Sequence, residues 1–138
     1  MHSEHLNNVH PGWVVGGWLI SIAVASAAYL IFVSMGLASG AGDDALWVVV
    51  AVAAGFFAGG FFVGIRWAEA PILHGLIFGV VSLVVLLGAN LLFPEGGGAP
   101  PATEESVPVV LAMLLVQTGA AIAGGVVGRR TLRGEGLT

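Results

Sequence analysis

His74 is the residue of this sequence best suited to bind a metal-containing cofactor, because an imidazole nitrogen can ligate the metal of a haem or chlorophyll. It lies one turn inside an apolar stretch, and the neighbouring Gly75 leaves room for a flat macrocycle. Such a ligand must be a neutral imidazole held by a second hydrogen-bond partner. The favoured interpretation is plainer: an interfacial histidine bonded to Glu69, a backbone carbonyl or water.

Two further histidines, His2 and His5, are three residues apart and could bind a metal together on a helix. The segment lacks a helical pattern and Pro11 interrupts it. We therefore expect residues 1–10 to be a flexible, solvated tail and expect no metal site in the chain.

Neutral polar residues inside the apolar stretches could line a solute pathway if several copies of the chain assemble. They are Ser82, Asn90, Gln117 and Thr118. Neutral side chains of this kind commonly form hydrogen bonds between membrane helices. A pump or coupled transporter usually places an ionisable residue at depth, and the interiors of the four apolar stretches contain no Asp, Glu, Lys or Arg.

Motifs that indicate catalysis are missing from the sequence. It has no cysteine, no phosphate-binding glycine loop followed by Lys and Ser or Thr, no H-E-x-x-H and no G-x-S-x-G. We predict that the protein is not an enzyme and carries no cofactor.

The composition is that of a membrane protein. Hydrophobic residues make up 57% of the 138 residues, charged residues only 9%, and the mean hydropathy is +0.99. Soluble domains carry about 25% charged residues, a far larger share than this chain has. The net charge of −4 also argues against a nucleic-acid partner, since phosphate contacts need clustered Lys and Arg. The expected partner of the outer surface is the lipid bilayer.

Four apolar stretches of about 20 to 25 residues, the length that crosses a bilayer, divide the chain. They span about residues 13–37, 46–65, 72–93 and 107–128. Because backbone groups in lipid must be bonded internally, each stretch should be a helix. The sequence thus predicts an all-α integral membrane bundle of four transmembrane helices in a single domain, residues 1–138. We expect the tail at 131–138 to be flexible, like residues 1–10, and Pro71 to start the third helix.

Charged residues divide between the two ends of these stretches. One side carries all four arginines, Arg66, Arg129, Arg130 and Arg133, and the other connections carry Asp43, Asp44, Glu95, Glu104 and Glu105. The positive-inside rule places the arginine side in the cytoplasm. An even number of spans then predicts that both termini are cytoplasmic.

Small residues recur at intervals of four in the second and fourth stretches. The rows are Gly55 and Gly59, Gly60 and Gly64, and Ala120, Gly124 and Gly128. Residues four apart share a helix face, and small side chains there let two backbones approach closely. These rows could dock a second copy or another subunit, but packing within the chain is the favoured interpretation.

A faint internal repeat accompanies these rows. The run Ala58-Gly59-Gly60 matches Ala123-Gly124-Gly125, so two repeated helical hairpins are possible.

The run Ala58-Gly59-Gly60-Phe61-Phe62-Val63-Gly64-Ile65-Arg66, a short link and then His74-Gly75 resemble the small bacterial four-helix inner-membrane proteins of unknown function. The resemblance covers the second and third stretches, and the remainder is similar in hydropathy. It implies a helical bundle in a bacterial cytoplasmic membrane and no particular activity.

Three functional hypotheses follow. The first is a non-enzymatic structural or accessory subunit that packs against itself or other membrane subunits through glycine-faced helices. The second is a small oligomeric transporter or channel lined by the four polar residues. The third is a haem- or pigment-binding subunit ligated through His74.

Overall fold

The computed structural model describes residues 11–39, 44–66, 70–92, 107–132 and 134. These residues form four α-helices: α1 (Pro11–Ser34), α2 (Ala45–Arg66), α3 (Pro71–Leu92) and α4 (Val107–Leu132). The shortest have 22 residues, which at 1.5 Å per residue gives about 33 Å, enough to cross a hydrocarbon core of about 30 Å. All four are long and apolar enough to span a membrane. The prediction of an all-α, four-helix membrane bundle is confirmed, and the protein is a multi-pass membrane protein.

Helix α1 ends earlier than the apolar pattern predicts, because Gly36 stops it. Gly36 has a φ of +72°, a left-handed conformation that costs glycine little. Its N–H donates to Val33 O at 3.0 Å, and the Leu37 N–H donates to Phe32 O at 2.9 Å. This pair of bonds is the Schellman motif, which satisfies the last carbonyls of a helix. The predicted end at residue 37 is therefore wrong by three residues.

Helix α4 runs four residues beyond its predicted end at 128, through Leu132. Thr131 is therefore helical, although a flexible tail was predicted from that position. Arg129 and Arg130 stabilise the last turn, because cations interact favourably with the negative end of the helix dipole. Helix α3 begins at Pro71 as predicted.

Several sequence predictions fall on positions outside the described residues. They concern the tail at 1–10 with its histidines, the link at 67–69 with Glu69, the loop at 94–106 and the end of the chain at 135–138.

Helix α2 occupies the centre of the bundle. It packs against α1 on one side and α4 on the other, while α3 packs mainly against α4. In the apolar window of α2, 39% of the residues are buried, compared with 17% to 22% in the other three helices. Most of the surface of α1, α3 and α4 is therefore available to lipid.

The contacts define the direction of each helix. Gly60 and Gly64 of α2 meet Ala121 and Gly125 of α4 in the same order, so these two helices are parallel. Gly75 and Gly79 of α3 meet Ile122 and Thr118 in the opposite order, so α3 and α4 are antiparallel.

The core joins all four helices. It is formed by Val14, Phe56, Val63, Phe78 and Ala121, and the rings of Phe56 and Phe78 pack edge to face with centroids 6.4 Å apart. The buried residues of α3 all lie in its first two turns, and Leu91 near its end is 82% exposed. The bundle is therefore most tightly packed in the half that carries the arginines.

A second, smaller contact ties α1 to α2 at the opposite end. The rings of Phe32 and Trp47 lie 5.1 Å apart. The Asp44 carboxylate accepts hydrogen bonds from Tyr29 Oη at 3.3 Å and from Ser39 Oγ at 3.1 Å. These contacts fix the start of α2 against the end of α1.

Candidate functional site: the glycine-lined helix contacts

The first predicted row, Gly55 and Gly59, faces α1. A Cβ on Gly55 would lie 2.6 Å from Ala25 Cβ and would also meet Ser21 O. A Cβ on Gly59 would meet Gly17 O and the Ser21 hydroxyl. Ser21 is fully buried, and its Oγ donates to Gly17 O at 2.9 Å. The two backbones therefore approach so closely that only glycine fits in this row.

The second row, Gly60 and Gly64, faces α4 on the other side of α2. A Cβ on Gly60 would lie 2.8 Å from the carbonyl carbon of Ala121, and one on Gly64 would lie 2.8 Å from Gly125 Cα. The neighbouring atoms are backbone, which cannot move aside as a flexible side chain can. Helix α2 thus contacts α1 and α4 through two different rows.

The row of α4 faces α2 in turn. A Cβ on Gly124 would lie 2.9 Å from Phe61 N and would also meet Phe57 O, and one on Gly128 would lie 3.0 Å from Ile65 N. Ala120 is half-buried and packs against the core cluster. All three rows singled out in the sequence contact helices of the same chain.

Three further glycines make equally close contacts but were not assigned a packing role from the sequence. A Cβ on Gly17 would lie 2.7 Å from Phe78 Cζ, and a Cβ on Gly75 would lie 2.8 Å from Ile122 N. Gly79 lies against the Thr118 hydroxyl. Gly75 and Gly79 are four apart, the same spacing that identified the other rows, so the signal was present.

His74 is 3% exposed, one turn before the buried Phe78 on the same face of α3. Its Nδ1 lies 2.7 Å from Ala70 O. Since a carbonyl only accepts, Nδ1 donates the proton of this hydrogen bond. Within the described residues Nε2 has no hydrogen-bond partner.

The space beside Gly75, which the sequence suggested for a macrocycle, is occupied by Ile122. Among the described residues, no three His, Asp or Glu side chains come together as metal ligands. His74 therefore has one ring nitrogen hydrogen-bonded to Ala70 O and one buried ring nitrogen, Nε2. The space for a flat ring beside it is filled by α4.

The four polar residues predicted as a possible pathway have separate surroundings. Ser82 Oγ accepts a hydrogen bond from Trp18 Nε1 at 3.0 Å, which links α3 to α1. Asn90 Nδ2 donates to Leu86 O of its own helix at 2.9 Å. Thr118 packs against Gly79. Gln117 Oε1 is buried and has no partner within the described part of the chain.

The arginine end of the bundle carries an aromatic cluster. The guanidinium of Arg66 lies 5.5 Å from the centroid of the Trp13 ring, and that ring packs against Phe62 with centroids 6.0 Å apart. Arg129 is half-buried and Arg130 exposed at the end of α4.

A different set of small residues faces outward. Gly119 and Ala123 of α4 are exposed and follow Leu115, which is 75% exposed, at intervals of four. A Cβ on Gly119 would meet nothing within 4 Å. We call Leu115, Gly119 and Ala123 the outer row of α4. On α1, Gly12 and Gly16 also have open space beside them.

Comparison of the chain with known protein families, curated proteins and solved structures finds no match. The fold and its contacts define the class of the molecule, a multi-pass α-helical membrane protein.

Proposed function

We propose that this protein is a non-enzymatic structural subunit of a membrane assembly, held together internally by glycine-lined contacts and associated with a second copy of itself through the outer row of α4. The observation that carries the proposal is the contrast between two kinds of glycine on one helix. Gly124 lies against the backbone of Phe57 and Phe61, whereas Gly119 opens to the outside.

The inner contacts support a structural role because glycine lies at the contacts of α2 with α1, of α2 with α4 and of α3 with α4. No hydrophobic effect drives helices together in lipid, so close van der Waals contact between small residues must hold them. Such contacts give a bundle that presents a fixed outer surface to its neighbours.

The outer row supports association because small exposed residues four apart on a membrane helix allow a second helix to approach closely. The row holds Gly119 and Ala123, and the exposed Leu115 lies one turn before them on the same helix face.

A second copy is the simplest partner for this surface. In a two-fold dimer with its axis along the membrane normal, the same patch of both copies meets itself. The α4 helices would then be parallel and in register, which is the geometry of small-residue helix dimers.

We further propose that the protein lies in a bacterial cytoplasmic membrane with both termini in the cytoplasm. Arg66 and the Arg129–Arg130 pair lie at one end of the bundle, and Asp44 lies at the other. The positive-inside rule assigns the arginine end to the cytoplasm. The bacterial location is what the sequence resemblance expected for α2 and the start of α3 implies.

The proposal is tested by native electrophoresis of the purified protein in mild detergent. Gly119→Leu places a bulky side chain in the outer row, so we expect a dimer for the unmodified chain and a monomer for this variant. Gly88→Leu is the matched control, because Gly88 of α3 also has open space beside it. It should migrate as a dimer. Unchanged migration of Gly119→Leu, with helix content retained, would contradict association through this row, and a monomeric unmodified chain would contradict self-association altogether.

A further inference from the structure

The charged residues described at the arginine end of the bundle are all cationic, and they lie where transmembrane helices meet the lipid headgroups. We infer that Arg66, Arg129 and Arg130 bind the phosphate of an anionic lipid at this end. The inference concerns a ligand and does not depend on self-association through α4.

The glycine contact between α2 and α4 brings these arginines together. Gly128 lies against the backbone of α2, with its Cβ position 3.0 Å from Ile65 N. Arg129 and Arg66 directly follow those two residues, and the two helices are parallel. The arginines therefore lie at the same level on adjacent helix ends, with Arg130 beside them.

Arg66 lies beside an aromatic ring at this end of the bundle. The guanidinium lies 5.5 Å from the centroid of the Trp13 ring, in the range of a cation–π interaction. A guanidinium carries five N–H donors in a fork that suits the two-pronged binding of a phosphate. Trp13 is itself packed against Phe62.

The charges at the two ends of the bundle favour an anion at this end. Among the described residues, Asp44 carries the only side-chain carboxylate, and it lies at the opposite end of the bundle. In the sequence, four arginines and three glutamates flank the spans on the arginine side, while the other two connections carry five carboxylates and no basic residue.

A lipid fits this surface better than a soluble polyanion. The arginines end transmembrane helices, so they lie at headgroup depth, where basic residues attract anionic lipids. The net charge of −4 on the whole chain repels a large polyanion that would have to approach from the water.

The test uses fluorescence quenching by lipids with brominated acyl chains in phosphatidylcholine vesicles. A full-length chain that keeps Trp13 but carries Phe at the other three tryptophans reports on the arginine end. The matched chain that keeps Trp47 instead reports on the opposite end, where Trp47 packs on Phe32. Brominated phosphatidylglycerol is compared with brominated phosphatidylcholine in each.

We expect brominated phosphatidylglycerol to quench Trp13 more strongly than brominated phosphatidylcholine does. The two lipids should quench Trp47 equally. Arg66→Gln and Arg129→Gln should each reduce the preference around Trp13 by about fivefold, the effect of one basic residue near an anionic surface. Arg129→Lys, which keeps the charge, should retain most of it.

Equal quenching by the two lipids around Trp13 would overturn the inference, as would an undiminished preference after both arginines are replaced by Gln. Millimolar glycerol phosphate in the buffer distinguishes the source of the phosphate. If glycerol phosphate leaves the lipid preference unchanged, the ligand is a lipid. If it abolishes the preference, the site binds a soluble phosphate and the lipid assignment is overturned.

Discussion

Gly60 of α2 lies directly against the backbone of Ala121 in α4: a Cβ on Gly60 would be 2.8 Å from the Ala121 carbonyl carbon. On a different face of the same helix, the neighbouring Gly59 lies against Gly17 and Ser21 of α1. Two adjacent glycines thus join α2 to two different helices. This relationship makes α2 the element around which the bundle is assembled.

The contact at Gly59 predicts that the smallest possible side chain there destabilises the bundle. In Gly59→Ala, the new Cβ meets Gly17 O and Ser21, so the helices must move apart. We expect the free energy of unfolding in mixed micelles to fall by about 1 to 3 kcal/mol, the usual cost of overpacking.

Gly16→Ala is the control for this experiment, since Gly16 of α1 has open space beside it. Its stability should not fall, and a rise of about 0.5 to 1 kcal/mol is expected, because alanine favours a helix more than glycine does. Equal losses in the two variants would contradict the close contact as the cause, because a new methyl group has open space beside it at Gly16.

The hydrogen bond from Trp18 to Ser82 predicts a measurable coupling between α1 and α3, which otherwise share few contacts. A double-mutant cycle of Trp18→Phe and Ser82→Ala should give a coupling energy of about 0.6 kcal/mol, the average for such bonds in membrane proteins. The same cycle with Asn90→Ala should give none, because Asn90 bonds to its own helix. Zero coupling for the Trp18–Ser82 pair would contradict the bond.

The buried oxygen of Gln117, which has no partner among the described residues, predicts a stabilising substitution. A buried acceptor without a donor costs about 1 to 3 kcal/mol, and a leucine of similar size removes that cost. Gln117→Leu should therefore raise the free energy of unfolding in mixed micelles by about 1 kcal/mol. Asn90→Leu, which loses a hydrogen bond, should not raise it. A destabilised Gln117→Leu variant would indicate that the amide has a partner in the folded protein.

The arginine distribution predicts the orientation of the chain in cells. The sequence contains no cysteine, so single cysteines can be introduced at exposed helix ends without background. Ala45→Cys at the start of α2 should react with a membrane-impermeant maleimide from outside the cytoplasmic membrane. Thr131→Cys at the end of α4 should react only after permeabilisation. The reverse pattern would overturn the predicted topology.

The sequence predicts the spans of this protein well because hydrophobicity and length are local properties. It predicts helix ends less well: the apolar run continues to Leu37, but the hydrogen bonds around Gly36 end α1 at Ser34. Likewise, the charged end of α4 resembles a soluble tail, although its arginines are compatible with another helical turn.

The interior contacts could be predicted only in part. Spacing of four identifies Gly55, Gly59, Gly60 and Gly64 as two faces of one helix, but it does not say which helix each face meets. That depends on the order of the helices in space, which places α2 between α1 and α4. The filling of the space beside Gly75 by Ile122 depends on the same arrangement.

The proposed assembly is tested most directly by disulfide crosslinking between copies in native-like membranes. Ala123→Cys places a thiol in the outer row of α4. Leu76→Cys, at an exposed position of α3, is the control. The two positions lie at the same depth, because the residues next to them, Ile122 and Gly75, are in contact. We predict rapid formation of a covalent dimer for Ala123→Cys and little for Leu76→Cys. Equal crosslinking of both variants, or none for Ala123→Cys, would contradict association through the outer row of α4.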